Sequence, residues 1–145
     1  MRSRLLHAGD GLRTFAVILD TGDEAISSLE TFAQDNAISG AQITAIGAFN
    51  AARLAYFDWD SKSYQPIAVD EQVEVASLVG DIAIGPNGKP SVHAHAVLGR
   101  RDGSARAGHL VEGDVRPTLE VIVTESPTHL CKARDDETGL ALIKL

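Results

Sequence analysis

A single cysteine, no long apolar run and no basic run mark this sequence first by what it lacks. Lone Cys131 rules out an internal disulfide framework and fits a reducing compartment. No apolar stretch approaches the roughly 18 residues a membrane helix requires. The opening residues Met1-Arg2-Ser3-Arg4-Leu5-Leu6-His7 carry charge with no apolar segment behind them, so a secretory signal is not expected. A cytoplasmic location is the resulting expectation. There is no Gly-x-Ser-x-Gly elbow, no phosphate loop ending in Gly-Lys and no dinucleotide fingerprint. Basic residues number 13 against 20 acidic, for a net charge of −7. Nucleic-acid binding draws its non-specific affinity from Lys and Arg neutralising phosphates, so an isolated chain of this charge is poorly equipped for it. Local patches can nevertheless oppose the overall sign.

What is present suits one folded domain spanning residues 1–145. Hydrophobic residues make up 44% and charged residues 23%, ordinary values for a globular chain. A domain of this length buries about 70% of the surface its unfolded chain exposes and needs no staples. Arg13 to Leu19 is β-branched and apolar, a strand stopped by the Asp20-Thr21-Gly22-Asp23 turn. Glu24 to Asn36 then carries Ile26, Leu29, Phe32 and Ala33 on one stripe, predicting an amphipathic helix capped by Asp23 or Thr21, with Gly40 shortly past its end. From there strand signals dominate. They fall at Ile43–Phe49 (with Gly47 marking a bulge or close approach), at Arg53–Asp58 and Gln65–Ala68 as hairpin arms, and at Glu71–Ile84 with a break at Gly80. Further strands are expected at Ser91–Leu98, Ala105–Leu110, Thr118–Thr124 and Leu140–Leu145. The pattern predicts a compact α+β domain with a mixed, largely antiparallel sheet and one helix.

His93 and His95 stand two apart on a predicted strand, so both side chains leave the same face with Cβ atoms about 7 Å apart. His109 follows across the Gly99-to-Gly103 turn, where an adjacent strand can supply a third imidazole. Three neutral imidazoles with an open fourth position suit a catalytic or exchangeable zinc site rather than a closed structural one. Nickel, copper and iron accept the same donors, and a His-x-His pair can also arise on a solvated strand face. Gly108 beside His109 allows a close backbone approach. A cupin would place a glutamate soon after the second histidine, but Ala96-Val97-Leu98-Gly99-Arg100 has no carboxylate.

Other candidates stay open between two readings. Glu120, the carboxylate of an otherwise apolar strand, could orient a ligating histidine, serve as a general base on bound water, or face solvent on an edge strand. Arg100, Arg106 and Arg116 flank His109 in sequence together with Arg101 and could draw an anion to the metal. Interleaved Asp102, Glu112 and Asp114 instead suit a solvated, mutually neutralised face. Cys131 reads as a small core hydrophobe rather than a nucleophile, and His7 and His129 as surface or satisfied core residues.

These pieces in this order resemble the plants-and-prokaryotes-conserved (PPC) family. They are Ile46-Gly47-Ala48-Phe49, Leu54-Ala55-Tyr56-Phe57-Asp58, Val73 to Gly80, His93-Ala94-His95, Gly108-His109-Leu110 and Pro117-Thr118-Leu119-Glu120-Val121. The resemblance runs from about Arg4 to Leu145. It implies a compact α+β domain assembling as a homotrimer, with His93, His95 and His109 as a metal site in prokaryotic members. In plants the domain follows AT-hooks that contact the DNA minor groove, while the domain itself serves assembly and partner binding. Isolated bacterial members accordingly tend to carry DNA-binding names. The chain has no Arg-Gly-Arg-Pro hook, which undermines direct DNA reading. It carries Ala107-Gly108 where the family usually has two glycines. The implied role is a metal-carrying binding and assembly module, acting through protein partners or DNA. The alternative is a hydrolase- or lyase-like enzyme using the metal on a small polar or anionic ligand, with zinc the preferred ion.

Overall fold

A computed structural model describes residues 1–126 and 128–144. Among these residues one helix and nine strands follow in order. They are β1 (Arg2–Gly9), β2 (Leu12–Asp20), α1 (Ala25–Asp35), β3 (Gly40–Asp58), β4 (Ser63–Val69), β5 (Val73–Ile84), β6 (Pro90–Gly99), β7 (Ala105–Glu125), β8 (Cys131–Arg134) and β9 (Ala141–Lys144). All nine strands join one sheet, antiparallel throughout except for the single parallel pair Ile84↔Cys131. The expected mostly-strand domain with one helix is what the chain forms; Leu145, the last residue of the expected closing strand, lies outside the described residues.

Two expected pairs of short strands are each one long strand. Ile43–Phe49 and Arg53–Asp58 both belong to β3, and Ala105–Leu110 and Thr118–Thr124 both belong to β7. Register shifts between Gly47 and Leu54 bend these strands without ending them, because a bulge adds a residue on one side while the ladder resumes beyond it. Their length lets each serve two neighbourhoods. The first half of β3 pairs with β5 and the second half with β4, while β7 pairs with β6 at its start and β2 at its end. Since β5 also pairs with β6 and β3 with β7, strands β3, β5, β6 and β7 close into a ring.

At the N-terminus the opening residues are not loose: β1 pairs with β2 through Asp10-Gly11, both at positive φ, the backbone a two-residue hairpin turn requires. Nor is the helix capped by Asp23 or Thr21. Glu24 is the cap, its carboxylate accepting from the N–H groups of Ile26 and Ser27. Asp23 instead accepts from Asp20 N, and the Thr21 hydroxyl donates to the Pro117 carbonyl. The chain leaves the helix at Asn36 and Ala37, the latter at positive φ, and Gly40 already begins β3.

One face of the sheet and the helix enclose the core. Phe15, Val17 and Leu19 of β2, Ile43 of β3 and Leu119, Val121 and Val123 of β7 pack with Leu29, Phe32 and Ala33 of α1. Phe15 and Phe32 meet edge-on with centroids 5.3 Å apart, and burying each ring contributes about 1.5–3 kcal/mol. Glu30 of α1 accepts a hydrogen bond from Val92 N, tying the helix to the strand that carries two of the histidines. Cys131 is exposed, not a core residue; the inward residue of β8 is its neighbour Lys132.

Candidate metal centre

Strand β6 alternates as its sequence requires: Val92, Ala94 and Ala96 are buried, and His93 and His95 leave by the other face. Across the β6–β7 hairpin His95 pairs directly with His109, so both imidazoles project from the same side of the sheet. One nitrogen from each of His93, His95 and His109 lies within 4.8 Å of the others. Ring centroids are 5.3 Å apart for His93–His95, 5.1 Å for His93–His109 and 5.6 Å for His95–His109. Among the described residues this is the cluster of histidine, cysteine or carboxylate side chains able to share an ion.

Close backbone packing brings the strands together. A Cβ on Gly108 would come within 2.8 Å of the Ala55 carbonyl, and one on Gly80 within 2.2 Å of the His93 carbonyl. Only residues without a side chain fit at these contacts. The close approach expected at Gly108 is present, and Gly80, instead of breaking its strand, lies inside β5. At Gly47 the expected bulge also occurs, with φ +155° and a register shift after Ala45.

The donor set fits a divalent transition ion. His109 Nδ1 is buried and makes no hydrogen bond, an unpaired polar atom that an ion or its ligand sphere would satisfy. Burial, followed by the neighbouring His93, His95 and Lys132 charges, pushes the His109 imidazole down to about 4. Burial and His93 also lower His95. Neutral imidazole, the form these surroundings favour, is the form that ligates.

Three side chains that sequence reasoning missed border the cluster. Asp81 pairs directly with His93 across β5 and β6, placing its carboxylate Oδ2 3.5 Å from His93 Nδ1. Lys132 Nζ lies 2.6 Å from Asp81 Oδ1, an ion pair between β8 and β5. Burial alone would raise the Asp81 carboxyl, but His93 and Lys132 outweigh it and hold it below the ordinary carboxylate range. Tyr64 of β4 stacks on His109 at 4.8 Å, with Phe57 edge-on against Tyr64 at 5.3 Å. Asp81 had a sequence signal, a carboxylate in an apolar strand, the same signal that singled out Glu120.

The structure does not bring Glu120 to the imidazoles. It is exposed near the far end of β7, opposite Ile18 and Ile46, and strands β3 and β5 lie between it and β6. The arginines do not converge either. Arg100 is paired with Glu71 at 2.6 Å, Arg116 donates to Asn50, and Arg106, three residues before His109, takes the opposite face by strand alternation. His7 and His129 are exposed and stand apart from the cluster.

Residues 6–127 match the family model described as the Plants and Prokaryotes Conserved (PCC) domain. Among solved structures, a protein from Archaeoglobus fulgidus described as metal-containing is 34% identical with a TM-score of 0.84, over 91% of this chain and 93% of that one. A plant- and prokaryote-conserved protein from Pyrococcus horikoshii is 28% identical at a TM-score of 0.85, over 99% and 95% of the two chains. A candidate DNA-binding protein from Bacteroides thetaiotaomicron is 25% identical at a TM-score of 0.87, over 98% and 96%. No curated protein matches the sequence. Among the described residues no helix is long and apolar enough to cross a membrane.

Proposed function

This chain belongs to the Plants and Prokaryotes Conserved domain family, and we propose that within it the protein is a metal-carrying binding and assembly module, active as a homotrimer in association with DNA or transcription. The observation that carries the metal reading is the convergence of His93, His95 and His109 around one point, beside a buried His109 Nδ1 with no other partner. Three imidazoles that leave a coordination position open favour zinc, with nickel, copper and iron the competing ions. The metal-containing relative from Archaeoglobus fulgidus supports the same reading. Atomic spectrometry of protein purified without an affinity tag is expected to find about one transition metal per chain. H93A combined with H95A removes it and H7A does not; equal metal in all three proteins defeats the reading.

Assembly is supported by an apolar stripe on the outer sheet face. Ile46, Val79 and Ile122 are 61%, 50% and 42% exposed, and Val79 pairs directly with His95, so the stripe runs up to the metal site. DNA association is supported by the name of the Bacteroides relative. The net charge of −7 and the missing hook favour a protein partner over this chain itself as the contact with DNA. The single cysteine supports a cytoplasmic setting.

A second reading, a hydrolase- or lyase-like enzyme, has one observation in its favour: His95 is exposed, so a small polar or anionic ligand can reach the cluster. Bound there, a divalent ion supplies Lewis acidity toward such a ligand. Chelator-sensitive turnover of esters or lactones would select this reading.

A further inference from the structure

Among the described residues Lys132 is the buried charged side chain of the molecule, its side chain 4% exposed. An ammonium is removed from water only where a counter-charge compensates it, and Asp81 supplies that charge at 2.6 Å. Nothing in the local backbone requires a lysine at this place. Strand β8 attaches to β5 by the pair Ile84↔Cys131 and the bond from Ile84 N to the Leu130 carbonyl, and an apolar residue would suit the inward position 132. The lysine lies on the C-terminal hairpin formed by β8 and β9, beyond residues 6–127 that match the family model. Its partner Asp81 faces Nδ1 of His93 with the other carboxylate oxygen at 3.5 Å, so Nε2 is the ring nitrogen left free to ligate. Histidines that ligate metals commonly give their second ring N–H to a carboxylate, which fixes the ring and its tautomer.

We propose that Lys132 is a positioning residue for the metal site: its ammonium fixes the Asp81 carboxylate, which in turn holds His93 by Nδ1 with Nε2 presented to the ion. The inference rests on the metal reading above. It gives a buried lysine, far from His93 in sequence, a role in metal affinity rather than in folding alone.

The test uses the full chain, stripped with chelator and titrated with zinc against a chromophoric competitor, and with cobalt(II) for its visible spectrum. Metal-free thermal melting is recorded for every variant. K132M and D81N are expected to weaken zinc about 10–100-fold, the range seen when such orienting partners are removed, and to change the cobalt spectrum. K132R, which keeps the cation, restores affinity to within a few-fold of wild type. Unchanged zinc affinity in K132M, even with a lowered metal-free melting point, overturns the proposal by making Lys132 merely structural. If K132M does not fold, D81N decides, and wild-type affinity there overturns it equally. A wild-type protein that binds no zinc or cobalt fails the metal reading and this proposal with it. Wild-type binding that neither variant disturbs fails only the role of Lys132.

Discussion

Strand β7 carries His109 near one end and Glu120 near the other, and the two ends differ in what their neighbours offer. At the His109 end the adjacent strand is β6, whose paired residue is another histidine, with a third two residues before it. At the Glu120 end the neighbours across the ladder are Ile18 and Ile46, and the outer surface is apolar. Both residues are polar side chains on one strand. What separates them is the identity of the residue directly across the sheet. Chemistry on a sheet is assembled by register, so proximity along the chain, which drew Arg100, Arg106 and Arg116 into consideration, is a poor guide to it.

That contrast can be broken or sharpened by experiment. The largest effect is expected from H109A set against E120Q. Loss of a ligand should weaken zinc by more than about 100-fold, beyond the effect of losing an orienting partner, while E120Q stays within about twofold by competition titration. An E120Q protein as defective as H109A would erase the difference between the two ends. Next, G80A forces a Cβ against the His93 carbonyl at a contact 2.2 Å away in the present backbone, so β5 and β6 must part. It is expected to cost about 1–3 kcal/mol in denaturant unfolding, the usual range for overpacking. Zinc affinity should fall with it, because the displaced strands carry Asp81 and His93. A G80A protein with unchanged midpoint and affinity would show that this contact does not set the site.

A further effect lies in pH. In chelator-treated protein, the unfolded chain protonates His109 near 6.5, while the folded chain resists until about 4. Unfolding is therefore accompanied by proton uptake across that window. The stability tied to neutral His109 is fully present above 6.5 and is lost as pH falls toward 4. Unfolding midpoints measured from pH 7 to 4 should decline, and H109Q should flatten the decline. An identical slope in H109Q would place its origin elsewhere.

Much of this architecture was legible because it follows alternation and punctuation. His93 and His95 share a face for the same reason that Val92, Ala94 and Ala96 share the other. Gly108 and Gly47 announced backbone contacts that the folded chain makes. Other features left weaker traces or none. Asp10-Gly11 is a strong hairpin signal, but Arg2-Ser3-Arg4-Leu5-Leu6-His7 before it lacks the alternation that marks a strand, so β1 leaves little trace. The apparent gaps in β3 and β7 look like strand ends in the sequence, because nothing in a single strand shows that its partner carries it through a bulge. Glu24 caps α1 although glutamate is an unusual cap; the same carboxylate also accepts from Gly113 N, a demand set by tertiary packing. The Asp81–Lys132 pair joins residues brought together by one parallel contact between β5 and β8, which no local pattern encodes.

The register shifts along β3 have a dynamic consequence. They fall between Gly47 and Leu54, dividing the β3–β7 ladder into a segment beneath the helix and a segment beside the histidines. Each shift interrupts the continuous run of cross-strand bonds, so a local opening that starts at the histidine end meets a boundary before it reaches the core. That boundary is confined to the β3–β7 ladder, because β6, which carries His93 and His95, is tied to α1 by the bond from Val92 N to Glu30.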